Sequence, residues 1–352
     1  AGIDVIVPCY NYGRFLRQCA WSVLAETRLP IRLLIIDDAS DDDSGEVARS
    51  IAAQDGRVEV VVHAFNQGHI ATFNEGIAWL RARYMLLLSA DDVVAPGALA
   101  RAVKLMEAVP NLALAYGRSV QIRGGEELGG SIGSAPNIAA AKVWPGSQFV
   151  RRICAHPDNP VESATAVVRT AVLQAVGGYR PELPHAGDLE MWLRCAARGD
   201  VGFIPEIQAY TRIHDHNMRH GYTGAALFAD FEQRLRAFEL FFSHGAATLA
   251  DAKELERLAR RRLAEQALWA AVRLLDQDNR SARRLIAMAR RIQPSVVFRS
   301  LWWKTMARRA MGGRLRRALR LVPHVTDARA RRGEASARPT AAARPSSADG
   351  RP

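Results

Sequence analysis

Leu86-Leu87-Leu88-Ser89-Ala90-Asp91-Asp92 is an apolar run that stops at two adjacent carboxylates. An uninterrupted apolar segment of this length reads as a strand covered on both faces of a parallel sheet. Such sheets bind ligands beyond the carboxyl ends of their strands. Paired acids there suit a hard divalent cation, which in turn suits a phosphate. The pattern occurs twice, since Leu33-Leu34-Ile35-Ile36 runs into Asp37-Asp38-Ala39-Ser40-Asp41-Asp42-Asp43. Two buried strands delivering acids to one edge point to a metal-assisted nucleotide or sugar-phosphate site.

Working outward, the first third alternates strand and helix. Strands are expected at Val5–Val7, Leu33–Ile36, Val58–Val62, Tyr84–Leu88 and Leu112–Tyr116. Helices are expected at Phe15–Ala25, Val47–Ala53, Asn74–Arg81 and Pro96–Val109, with Pro96 in the first turn of the last. Repeated strand–helix units with short connections predict an α/β, doubly wound, mostly parallel sheet. Gly124–Pro136 reads as a loop, Pro145–Ile153, Thr170–Val176 and Leu189–Arg198 as helices, and Val201–Ile204 and Ala209–Ile213 as two late strands. Beyond Gly224 the pattern is helical at Phe228–Phe242, Asp251–Leu275 and Ala282–Arg291. The expected division is a catalytic domain at 1–223, a basic helical appendage at 224–322 and a disordered tail at 323–352.

The net charge of +12 over 352 residues is unevenly placed. Residues from Asp251 onward carry 25 Lys+Arg and 9 Asp+Glu, whereas those before carry 23 and 27. The front is near-neutral and the back basic. The four cysteines, Cys9, Cys19, Cys154 and Cys195, lack metal-type spacing and read as reduced buried thiols of a cytosolic protein. Neither a signal peptide nor a transmembrane run is expected.

Six segments together resemble family 2 glycosyltransferases, which have the GT-A fold. They are Val5–Asn11, Ile35–Asp42, Asn66–His69 with Asn74–Ile77, Leu88–Asp92, Gly187–Arg194 and Tyr210–His214. The resemblance spans about Ile3 to Asn217 and implies a GT-A-like sheet carrying an inverting, metal-dependent transferase. The implied donor is a nucleotide-diphosphate sugar, UDP-linked, and the implied acceptor is a glycan, a lipid-linked glycan of cell-envelope polysaccharide synthesis, or another hydroxyl. It also implies the residue roles. Asp92 is the first metal ligand for Mn2+ or Mg2+, with Asp91 beside it on metal or ribose and His214 as a third contact. Ser89 stands where the family often has an acid. Pro8, Tyr10, Asn11 and Asp38 line the base, Asn66 and Gly68 let the backbone approach the donor, and Arg212 clamps the diphosphate. Asp188 is the base that deprotonates the acceptor hydroxyl, with Glu190 as runner-up.

Other residues are weighed against plainer readings. Asp41–Asp43, His69, His216 and His220 read as solvated, Trp192 as core, and Arg194 as orienting nearby carboxylates. His156, Asp158 and Glu162 are placed along the acceptor groove. Arginines and tryptophan from Leu301 to Val322 suggest an amphipathic helix on an anionic membrane, hence a cytoplasmic protein or one peripheral on the inner face. A sugar-nucleotide pyrophosphorylase or a Rossmann dehydrogenase would want a Gly-rich loop after the first strand, and Pro8-Cys9-Tyr10-Asn11 is not one. A nucleic-acid-binding reading would rest on the tail alone, and no nucleic acid is expected as a partner.

Overall fold

The computed structural model describes residues 1–123, 138–215, 217, 227–275 and 278–311. The Gly124–Pro136 loop, His216, His220, the basic stretch beyond Met311 and the tail lie outside them.

The first half builds β1 (Ile3–Cys9), α1 (Gly13–Leu24), β2 (Ile31–Asp37), α2 (Ser44–Gln54), β3 (Val58–Val62), α3 (His69–Trp79), β4 (Tyr84–Leu87), β5 (Val93–Val94), α4 (Ala98–Ala108) and β6 (Leu112–Arg123). Then come β7 (Lys142–Trp144), α5 (Gly146–Ala155), β8 (Val167–Arg169), α6 (Thr170–Val176), α7 (Gly187–Ala196) and β9 (Asp200–Ile213). Among the described residues four further α-helices follow: α8 (Leu227–Leu240), α9 (Ala252–Leu274), α10 (Asn279–Ile292) and α11 (Ser300–Ala310).

The strands form one sheet ordered β3-β2-β1-β4-β8-β6-β9-β5, with β7 also pairing β9. The parallel pairs are β1–β2, β1–β4, β2–β3 and β6–β9. Strands β5, β7 and β8 run against them, so six of the nine described strands point one way. The mostly parallel α/β sheet expected from the sequence is therefore present, with helices following it.

Side chains alternate across each strand, which splits the core in two. Ile3, Val5 and Val7 pack with Leu33, Ile35, Leu86 and α1, α2 and α4 on one face. Ile6, Leu34, Ile36 and Leu87 pack with α5, α7 and α8–α10 on the other. On that face α3 lies close to β1, because a Cβ on Gly76 would sit 2.4 Å from Ile6 Cγ2. The helices after residue 224 thus share a core with the sheet, within the compact unit Ala1–Met311. Among the described residues no helix is long and apolar enough to cross a membrane.

Four local expectations change. The two late strands are one, β9, whose register shifts where it meets Gly117 and Arg118 of β6. The helix α3 starts at His69, five residues before the expected Asn74, after Gly68 at φ +84°. Helix α4 starts at Ala98, so Pro96 precedes it, and its cap is Gly97 in the left-handed region. Strands β5, β7 and β8 contain two or three residues each, too short for an alternation to register in the sequence.

Candidate active site

Strand β4 ends at Leu87, and the turn after it delivers Asp91 and Asp92 beyond the carboxyl edge of the parallel strands. Asp91 is buried and Asp92 half-buried. Ser89 Oγ donates to Asp91 Oδ1 at 2.5 Å, so the residue standing in place of a third acid serves to orient the second. His214 Nε2 lies 3.0 Å from Asp91 Oδ2, and Asn217 Nδ2 donates to the same oxygen at 3.1 Å. The His214 ring is wedged between Tyr12 and Phe15, at centroid distances of 5.4 and 5.3 Å. Burial, together with the charges of Asp91 and Asp92, pushes the Tyr12 phenol up to about 12. Tyr12 was not identified from the sequence, although it adjoins Asn11 in the first motif.

Arg212 is 1% exposed. Its backbone N–H donates to Asp92 Oδ1 at 2.9 Å, its Nε to the Asp91 carbonyl at 3.0 Å, and its second terminal nitrogen to Gln18 Oε1 at 2.6 Å. The guanidinium also lies over the Phe15 ring, 4.7 Å from its centroid. Expected to face a diphosphate, it is instead buried under the acidic turn and holds that turn to β9.

Two loops on the neighbouring strands are stitched together. Asn11 (φ +59°) accepts from Asp41 N at 2.8 Å, while its own N–H donates to Ser40 Oγ at 2.9 Å. Asp42, read as a solvated charge, accepts from Gly13 N at 3.1 Å and Ser44 N at 2.9 Å, and so bridges the starts of α1 and α2. Asp38 is buried, with Oδ1 accepting from Gln67 N at 2.8 Å and Oδ2 from Gly68 N at 2.9 Å. Asn66 Oδ1 accepts from the same Gly68 N–H at 3.0 Å. His63 closes the group: Nδ1 is 2.7 Å from Asp38 and Nε2 2.7 Å from Glu75 Oε2. Burial opposes charge on Asp38 and on His63. The Gln67 and Gly68 N–H groups and His63 nevertheless hold the Asp38 carboxyl below its ordinary value. Asp38 and Glu75 in turn hold His63 above its own. Tyr10, 44% exposed, and half-buried Pro8 flank Cys9, whose carbonyl accepts from the Asp38 N–H at 2.9 Å.

Asp188 occupies the first turn of α7, whose cap position is Ala186, so Asp188 is not the cap residue. It is half-buried and accepts from Ser163 Oγ and from the Tyr179 hydroxyl. Burial pushes its carboxyl above the ordinary range, while these two donors and the nearby His69 and His185 moderate the rise. Strand β8 pairs antiparallel with β4, Val167 opposite Leu86. Ser163, four residues before Val167, therefore lies toward the same carboxyl edge as Asp91. Glu190 faces elsewhere, fully buried between Arg180 and Arg194 at 2.8 Å each. Arg194 also donates to the carbonyls of Val176, Gly177 and Gly178 and clamps that turn. Trp192 is core. Asp158 pairs with Arg234, while His156 and Glu162 are exposed.

Among the described residues no three His, Cys, Asp or Glu side chains form a ready-made metal cage. The donors present are Asp91 and His214, 3.0 Å apart, with Asp92 adjoining. Mg2+-like cations are usually held by one or two carboxylates plus substrate phosphates, so this donor set fits a cation shared with a diphosphate.

Residues 4–165 match the model of Glycosyl transferase family 2. The glycosyltransferase GlyG of Streptococcus pneumoniae is 38% identical over 93 residues, covering 26% of this chain and 31% of its own. An uncharacterized glycosyltransferase of Haemophilus influenzae is 24% identical over 215 residues, covering 60% of this chain and 65% of its own. The chain thus matches less than two thirds of the length of these relatives. The crystal structure of S. aureus TarS 1-349 in complex with UDP-GlcNAc superposes with a TM-score of 0.62 at 14% identity, covering 91% of this chain and 92% of that one. That likeness extends the GT-A-type fold over the C-terminal helices.

Proposed function

Residues 4–165 form a glycosyl transferase family 2 domain, and from that premise we propose that the protein moves a sugar from a nucleotide-diphosphate donor to a hydroxyl acceptor, with inversion at the anomeric carbon. The observation that carries this reading is the division of labour between two carboxylates. Asp91 is paired with His214 in an arrangement suited to a cation, whereas Asp188 is set apart among hydroxyl donors with a raised carboxyl.

The donor nucleotide is assigned to the platform of Pro8, Tyr10, Asn11 and Asp38, with the Asn66–Gly68 loop beside it. UDP is the favoured nucleotide, supported by the UDP-GlcNAc complex of the structural neighbour TarS. Mn2+ or Mg2+ would be held by Asp91 and His214, with Asp92 beside them, and would supply charge neutralisation for the departing diphosphate. The Asp188 carboxylate takes the proton of the acceptor hydroxyl. The acceptor oxygen then bonds to the anomeric carbon from the face opposite the diphosphate, and the bond from that carbon to the diphosphate oxygen breaks. Arg212 keeps Asp91 and Asp92 in place and Ser163 and Tyr179 keep Asp188 in place, so these three are positioning residues. Catalysis is assigned to 1–223 and the basic segment 224–322 to placing the protein at an anionic membrane, where a glycan or lipid-linked acceptor is presented.

A donor screen tests the reading. Hydrolysis of UDP-sugars is measured with and without Mn2+ for wild type, Asp92→Ala and Asp188→Ala. Metal-dependent turnover that both substitutions reduce supports it, and metal-independent turnover that survives both overturns it.

A further inference from the structure

Residues 279–311 contain nine arginines and lysines and no aspartate or glutamate. Part of this charge is used within the fold, since Arg291 pairs with Glu232 of α8 and the Arg284 guanidinium lies 4.2 Å from the Phe228 ring centroid. Helix α11 is two-sided. Leu301, Trp302 and Met306 pack against the main core and Thr305 is buried. The opposite side carries Trp303, 65% exposed, with Ala307 one turn on and Lys304 beside it, all open to solvent. Just before the helix, Phe298 is 85% exposed, followed by exposed Arg299. An isolated exposed apolar residue is unremarkable. Here two large aromatics project from one short segment, each beside a cation, within 33 residues that lack any acid.

The combination has a specific chemical complement. A tryptophan or phenylalanine gains by entering the boundary between headgroups and acyl chains, and adjacent lysine and arginine gain from anionic headgroups. Nucleic acid would reward the cations without requiring exposed Phe298 and Trp303 to leave water together. A protein groove would not require a segment free of acid. We infer that the solvent side of α11, together with Phe298 and Arg299, is a docking surface for an anionic phospholipid membrane. This deepens the membrane placement given above: it puts the contact on residues 298–307, ahead of the basic stretch beyond Met311.

Flotation of the full chain with vesicles tests it. One set is pure phosphatidylcholine and the other contains about one third phosphatidylglycerol. The chain should bind the anionic vesicles about tenfold better, and salt should weaken that binding. Phe298→Ser/Trp303→Ser and, separately, Arg299→Gln/Lys304→Gln should each reduce anionic-vesicle binding about tenfold. Both double variants retain residues 312–352, so the difference reads this surface alone. UDP-sugar hydrolysis in detergent-free buffer should be unchanged in both, which also shows that they are folded. If the transferase reading fails, thermal melting of the variants provides the folding control and the vesicle result stands by itself. Anionic-vesicle binding unchanged in both variants overturns the proposal. So does tighter binding to duplex DNA than to vesicles, lost on charge removal but indifferent to the aromatic pair, which would assign the surface to nucleic acid. A concentration-dependent dimer abolished by Phe298→Ser/Trp303→Ser, with no vesicle binding, overturns it in favour of a second copy.

Discussion

His63 Nδ1 stands 2.7 Å from Asp38 Oδ1, and both side chains are 5% exposed. A buried carboxylate beside the Asn66–Gly68 loop is thus fixed by the His63 imidazole, and the Gln67 and Gly68 N–H groups hold it as well. Asp38 therefore shapes the Asn66–Gly68 loop as well as facing the base assigned to it. Replacing His63 by glutamine should loosen this loop and raise the donor KM with little effect on kcat, a split that a general loss of folding would not give. Loss of the charge-assisted bonds should cost about 2 kcal/mol of stability.

The same pair sets a pH dependence. The His63 value is raised on folding, so its contribution is complete below its unfolded value of about 6.5 and fades as pH rises through the higher folded value. The Asp38 value is lowered, so its contribution is complete above about 3.9 and fades as pH falls through the lower folded value. Wild-type melting temperature should therefore decline on the alkaline side of pH 6.5, and His63→Gln should flatten that limb. Parallel alkaline limbs in the two proteins would contradict the pairing.

Asp188 should act at a shifted pH. Burial raises its carboxyl, and Ser163 and Tyr179 partly restrain the rise. Asp188→Asn should lower kcat by 10²- to 10⁴-fold, the usual range for a lost general base. Ser163→Ala and Tyr179→Phe each remove a donor that favours the carboxylate. Each should move the acidic limb of the kcat/KM profile to higher pH, with the plateau largely retained.

His214 binds no acceptor in this account, so its loss should register through metal. Titrating Mn2+ into His214→Ala should require at least tenfold more cation for half-maximal turnover. Equal metal dependence in wild type and His214→Ala would remove it from the site.

Arg212→Lys keeps a charge but loses the fork that reaches both the Asp91 carbonyl and Gln18. It should destabilise the protein by about 2 kcal/mol, seen as a lower melting temperature. The backbone N–H to Asp92 is unaltered by the substitution, so some turnover should persist.

The sheet was legible because β1, β2 and β4 are buried on both faces and read as short apolar runs, the last two leading into acids. The short antiparallel strands were not, because pairing β8 with β4 and β6 depends on partners far away in the chain. Asp91, Asp188 and His214 announced themselves through residue type and motif order. Tyr12, Ser163, Tyr179 and His63 did not: their roles arise from side-chain contacts with residues 9 to 25 positions away or from ring packing. The burial of Arg212 was hidden for the same reason. A cation in a phosphate-binding motif reads as a ligand contact until its partners, Gln18 and the Asp91 carbonyl, come into view.

The most direct test separates holding the donor from performing the chemistry. Calorimetric titration of UDP with Mn2+ present is run on wild type, Asp91→Ala and Asp188→Asn, alongside UDP-sugar hydrolysis by the same samples. The account predicts Mn2+-dependent UDP binding in wild type and in Asp188→Asn, its loss in Asp91→Ala, and hydrolysis in wild type alone. Undiminished UDP binding by Asp91→Ala, or full hydrolysis by Asp188→Asn, would contradict it.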